Sequence, residues 1–140
     1  MYRNILLAID LDQPSSWEKA LPAAVALCRC FDASLALATV VPDWNMILEV
    51  QRSPIAYREF LELARMRLGT LADSISDLSG VEHHVETGSV YGGILAVAER
   101  IGADLIVLSS HRPEMKDYLL GANASRVVRH ARCSVFVVRD

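Results

Sequence analysis

Leu105-Ile106-Val107-Leu108 is an unbroken apolar run that empties into Ser109-Ser110-His111-Arg112-Pro113, and at Gly121-Ala122-Asn123 a helical pattern opens. A strand wetted on one face alternates apolar and polar residues. A run without alternation marks a strand covered on both faces, as in a parallel sheet between helices. Three other runs read the same way: Ile5-Leu6-Leu7-Ala8-Ile9, Leu35-Ala36-Leu37-Ala38-Thr39-Val40-Val41 and Val135-Phe136-Val137-Val138. A fifth stretch, Val81 to Glu86, is more polar and fits an edge strand.

Helical patterns fill the gaps. Ser15 or Ser16 can cap a helix through about Phe31 with Leu21, Ala24, Val25 and Cys28 inward, but Pro22 predicts a displaced start or a kink. A long helix is expected from about Ile55 to Leu78, with Phe60, Leu61, Ala64, Leu68, Leu71 and Ile75 inward. Ser89 caps a third that Gly102 ends. A fourth starts at Gly121 or Ala122 and runs to Ala131 with Val127, Val128 and Ala131 buried. The segment from Pro42 to Pro54 holds Trp44, Met46, Ile47, Leu48 and Val50. It reads as a flap, as a partner surface or as the start of the long helix.

Strict alternation of strand and helix implies right-handed crossovers. The expected architecture is a doubly wound α/β fold, a five-stranded parallel sheet of order 3-2-1-4-5 with helices on both faces. The 140 residues suit one domain spanning 1–140, and 52% hydrophobic residues suffice to fill its core. Ligands of such folds sit beyond the carboxyl ends of the strands, where the winding reverses. Here those ends are Ile9-Asp10, Val40-Val41-Pro42 and Ser109-Ser110.

The bulk numbers exclude several classes. A net charge of −3 gives no general attraction to nucleic acid or to an anionic membrane. No apolar run approaches the roughly 20 residues that span a bilayer. The five apolar residues before Asp10 are too few for a secretory h-region, so a cytoplasmic location is expected. The three cysteines, Cys28, Cys30 and Cys133, argue against a disulfide framework, and the pair Cys28 and Cys30 reads as small core-filling thiols. His83 and His84 on a strand point to opposite faces and do not share a metal. Arg126, Arg129, His130 and Arg132 read as a solvated face whose later charges suit a helix C-terminus.

The chemistry lies between Ser109 and Asn123. The first N–H groups of the helix opening at Gly121 lack internal partners and, with the helix dipole, suit an anion. Ser109, Ser110, His111 and Asn123 add hydroxyl, imidazole and amide groups. The same pattern also describes a plain capped helix. Asp10 can accept from a ribose hydroxyl or a base amino group, or cap the turn that follows it. The backbone of Val40 and Val41 can pair with a base edge, or these can be plain strand residues. No P-loop, nucleophile elbow or zinc motif occurs.

Tyr2 to Asp10, Glu86-Thr87-Gly88 through Ile94, Leu119-Leu120-Gly121 and Val127 to Arg139 together resemble universal stress proteins over essentially the whole chain. The resemblance implies binding of ATP or AMP through a pattern G-x-x-G, nine residues, then G-S or G-T. It implies Asp10 at the nucleoside, the Val40 backbone at adenine and Gly121 at the phosphate-binding helix start. Ser109 and Arg112 stand where the first two glycines are expected, the spacer is one residue short, and Ala122 replaces the Ser or Thr. The loop reads Ser-His-Arg-Pro, similar to a sub-branch still associated with adenine nucleotides, and Arg112 can clamp a phosphate. Expected site residues are therefore Asp10, Val40, Ser109, His111, Arg112, Gly121, Ala122 and Asn123.

The resemblance further implies a regulatory stress-response protein rather than a catalyst, dimerising through the final strand. Hydrolysis would need a positioned water and usually a metal; Asp10 and Asp12 can help hold Mg²⁺, and no spacing demands it. Two alternatives are a nucleotide-independent interaction module and a slow ATPase or autophosphorylating protein.

Overall fold

The computed structural model describes residues 1–43, 54–110 and 121–139. Five strands and four helices follow one another: β1 (Asn4–Ala8), a 3-10 turn (Pro14–Ser16), α1 (Ala20–Phe31), β2 (Ser34–Val41), α2 (Pro54–Asp73), β3 (Glu82–Thr87), α3 (Val90–Ile101), β4 (Leu105–Ser109), α4 (Ala122–His130) and β5 (Ser134–Val138). All strands are parallel in the order β3-β2-β1-β4-β5, the expected doubly wound topology.

The unalternating runs of β1, β2 and β4 are explained by two cores, whereas Val135 to Val138 is corrected: β5 is an edge strand, and its residues are exposed or half-buried rather than covered on both faces. Ile5, Leu7 and Ile9 point to a layer formed with Ala20, Ala24 and Cys28 of α1 and Leu68 and Ala72 of α2. Leu6 and Ala8 point the other way, to Ile94, Val97 and Ala98 of α3 and Ala124 and Val127 of α4. Both faces of β1 are thus covered, and an apolar residue is favoured at every position. The edge strand β3 has one neighbour and carries Glu82, His83, His84 and Glu86. His83 faces α2, where a Cβ on Gly69 would stand 3.2 Å from its Nε2. His84 turns to Glu82, 3.3 Å away, so the two imidazoles do point apart.

Capping set the ends. Ser89 Oγ accepts the Gly92 N–H at 3.3 Å, and Gly102 closes α3 in the left-handed region at φ 66°. The start of α1 is displaced to Ala20, as Pro22 required. Pro22 is the third helical residue, where a missing N–H costs little. Ser15 and Ser16 do not cap this helix. The expected end of α2 near Leu78 is corrected to Asp73, where the last turn tightens: the Ser74 N–H is shared between the Thr70 and Leu71 carbonyls at 3.1 and 3.2 Å, and the Ile75 N–H reaches back only three residues, to Ala72 at 3.2 Å. Ile75 still packs on the core from beyond that end. Two expected core residues are exposed: Phe60, and Val128 at 46%. Adjacent helical positions lie about 100° apart, and the inward stripe of α4 passes through Ala124 and Val127. Cys28 fills the core as expected, whereas Cys30 is exposed and Cys133 only part-buried. Among the described residues no helix is long and apolar enough to cross a membrane.

Candidate functional site

A crevice of about 610 Å³ opens at the carboxyl ends of β1, β2 and β4. It lies where the sheet order reverses: chain connections leave β1 toward β2 on one side, and β4 lies on the other.

The first wall is the loop after β1. Ser16 Oγ accepts the Asp10 N–H at 2.9 Å and donates back to the Asp10 carbonyl at 3.1 Å. That closed pair sets the Asp10 backbone at the rim. One carboxylate oxygen of Asp10 accepts the Asp12 N–H at 3.0 Å, so this residue does turn the chain. Its other oxygen has no partner among the described residues, which leaves an acceptor for a ligand.

The second wall is the end of β2. The β1–β2 ladder stops at Ala8 and Ala38, and the Ile9 N–H donates to the Ala38 carbonyl at 2.8 Å. Backbone groups of alternate strand residues point to the same side. Val40 therefore directs both its N–H and its C=O past the end of β1, into the crevice. Its side chain lies under α3, where Gly93 makes room for it.

The third wall is the start of α4. Gly121 precedes the helix at φ −53° and ψ 156°, a conformation open to any residue, so its value lies in the missing side chain. Gly121 has no side chain with which to cap this end, and the first helical bond runs from the Ser125 N–H to the Gly121 carbonyl at 2.9 Å. The N–H groups of Ala122, Asn123 and Ala124 thus have no helical acceptor, and Gly121, Asn123 and Ala124 line the crevice. Ala122 is exposed and stands beside the crevice without lining it. Ser109 is part-buried at the floor, its hydroxyl donating to the Ser15 carbonyl at 3.4 Å. His111 and Arg112 lie outside the described residues, as does the segment 44–53.

Six of the eight expected residues thus fall at or around one opening: Asp10, Val40, Ser109, Gly121 and Asn123 on the lining and Ala122 beside it. Missed by the sequence reading were Ser16 as the clamp on Asp10, and Val90 and Ile94 on the lining. Only the Pro14-Ser15-Ser16 turn, six residues beyond Asp10, hinted at the clamp. Among the described residues no group of three or more His, Cys, Asp or Glu is placed to hold a metal ion.

Fold and crevice define the class first: a doubly wound α/β protein with an uncapped helix start and a free strand end facing each other across the reversal point. The model of the universal stress protein family matches residues 1–139. Universal stress protein G of Escherichia coli O157:H7 is 35% identical, over 99% of this chain and 100% of its own. A universal stress protein solved in complex with cAMP is 20% identical, with a TM-score of 0.64 over 99% of this chain and 97% of its own. That of Archaeoglobus fulgidus in complex with dAMP is 18% identical, with a TM-score of 0.68 over 97% of each chain. The chain belongs to the universal stress protein family.

Proposed function

We propose that this protein binds an adenine nucleotide, AMP or ATP, in the crevice and acts as a regulator of the stress response rather than as a catalyst. The observation that carries the reading is the pairing, in one opening, of Val40 backbone groups and the bare N-terminus of α4. The first suits a base and the second a phosphate. The cAMP and dAMP complexes of family members with the same fold support the choice of adenine. The Val40 C=O would accept from the adenine amino group while its N–H donates to the neighbouring ring nitrogen. Guanine presents the reverse order, an acceptor beside a donor, and would leave both backbone groups unpaired. Asp10 would take a ribose hydroxyl. The N–H groups of Ala122, Asn123 and Ala124 would hold the phosphate, with Ser109, His111 and Arg112 as further candidates to bind it. With ATP, Asp10 and Asp12 are the carboxylates nearest to hand for an accompanying Mg²⁺.

The same reading includes a homodimer through β5. Among the described residues that strand is bonded only to β4, it is apolar, and Phe136 is 44% exposed on it. The opposite edge, β3, is guarded by charge. A dimer is expected by sedimentation at micromolar concentration, and a monomer for Phe136→Glu.

The test is release of bound nucleotide by mild denaturation, followed by titration with AMP, ATP and GMP. Near one adenine nucleotide per chain, or saturable AMP or ATP binding with GMP at least tenfold weaker, supports the proposal. No release and flat titrations would overturn it. A nucleotide-independent interaction module is the second reading, favoured by Ile55, Leu63 and Met66, which stand exposed on α2.

A further inference from the structure

Two side chains of α2 reach out of the helix to the two walls of the crevice, though neither lines it. Arg67 donates through Nη2 to the Leu11 carbonyl at 2.8 Å and through Nη1 to Asp12 Oδ1 at 3.1 Å. Tyr57, ten positions earlier, donates its hydroxyl to the Pro42 carbonyl at 3.0 Å. Asp12 and Pro42 both line the crevice. The loop after β1 and the end of β2 have each left the β1–β2 ladder at these points, so strand pairing no longer sets their separation.

The helix that carries the two donors is itself well anchored. Leu68 is fully buried, Ala64 and Ala72 are buried, and Gly69 lets α2 lie close against His83. Ten residues of helix set the Cα atoms of Tyr57 and Arg67 about 15 Å apart along the axis. A rigid bar thus meets both walls. We infer that Arg67 and Tyr57 are positioning residues for the nucleotide site, holding loop and strand end at the spacing the ligand needs. This rests on the nucleotide-binding reading. An Arg–Asp pair this exposed contributes little to stability. Its effect lies in restricting the loop before the ligand arrives, so that less ordering is left for the binding step.

The test is AMP affinity by calorimetry for the full chain and for Arg67→Met, Arg67→Lys, Tyr57→Phe, Asp12→Ala and the Arg67→Met/Asp12→Ala pair. Each lost hydrogen bond should weaken AMP about 3- to 10-fold. Arg67→Lys, which keeps one donor, should recover part of the loss. The Arg67→Met loss should shrink in the Asp12→Ala background, because the arginine acts in part through that carboxylate. A role in folding alone would lower the melting temperature without this coupling in affinity. If Arg67→Met does not fold, Arg67→Lys and Tyr57→Phe decide. Wild-type binding with variants within twofold, or with additive losses, overturns the inference and leaves the nucleotide reading standing. Absence of AMP and ATP binding by the wild type overturns both.

Discussion

A Cβ on Gly93 would stand 2.6 Å from Val40 Cγ2 and 2.8 Å from Cγ1. The glycine is there for space, since α3 crosses β2 at the residue whose backbone faces the crevice. Val40 is β-branched and has few rotamers to retreat into. Gly93→Ala should therefore push α3 off the sheet, costing about 1–3 kcal/mol. Urea denaturation checks the cost. Adding Val40→Ala should restore part of it, and a Gly93→Ala protein as stable as the parent would show that the helix shifts freely.

Ser16 holds Asp10 by two hydrogen bonds at once. Ser16→Ala removes both and should cost about 1–2 kcal/mol, with faster hydrogen exchange at the Asp10 amide. Ser16→Thr keeps the hydroxyl and should exchange as the parent does.

Cys28 and Cys30 differ in burial, and their reactivity should differ with it. Burial pushes the Cys28 thiol up from 9.0 to about 11, whereas Cys30 is exposed. Iodoacetamide at pH 8 should modify Cys30 in the native protein and Cys28 only after unfolding. The raised value also sets a sign. Between about pH 9 and 11 the unfolded thiol ionises and the folded one does not, so Cys28 favours unfolding as pH rises through that window. Cys28→Ala should flatten the alkaline fall in melting temperature.

Glu86 and Arg100 should account for a small acid dependence. The guanidinium donates to the carboxylate at 2.9 Å and holds its pKa below the ordinary 4.5. A lowered carboxylate contributes stability above the ordinary value that is lost as pH falls through the folded one. The pair is half-exposed on the arginine side, so under about 1 kcal/mol is expected. Arg100→Met should reduce the loss of stability below pH 4.5, measured as the change in melting temperature between pH 6 and 3.5.

Much of the fold was legible in the chain because its signals are local. Ile5 to Ile9 and Leu105 to Leu108 lack alternation because each strand has a helical layer on both faces, and Ser89 and Gly102 carry their capping in their own chemistry. Asp10, Val40 and Gly121 could be singled out because strand ends and helix starts are where backbone groups run out of partners. Less legible were Ser15 and Ser16. Both suit an N-cap, but Pro22 displaces the helix start to Ala20, and Ser16 bonds Asp10 instead.

The order of elements, the parallel sheet and the end of it where a ligand would enter follow from periodicity and from residues next to one another, and are written in the chain. That Gly93 makes room for Val40, that Ser16 clamps Asp10, and that Arg67 and Tyr57 brace two walls from a third element emerges only on packing. The difference is one of range. Hydrophobic periodicity is written within one turn or one pleat, whereas hydrogen bonds such as that from Arg67 to Leu11, 56 residues apart, exist only after packing has brought the partners together.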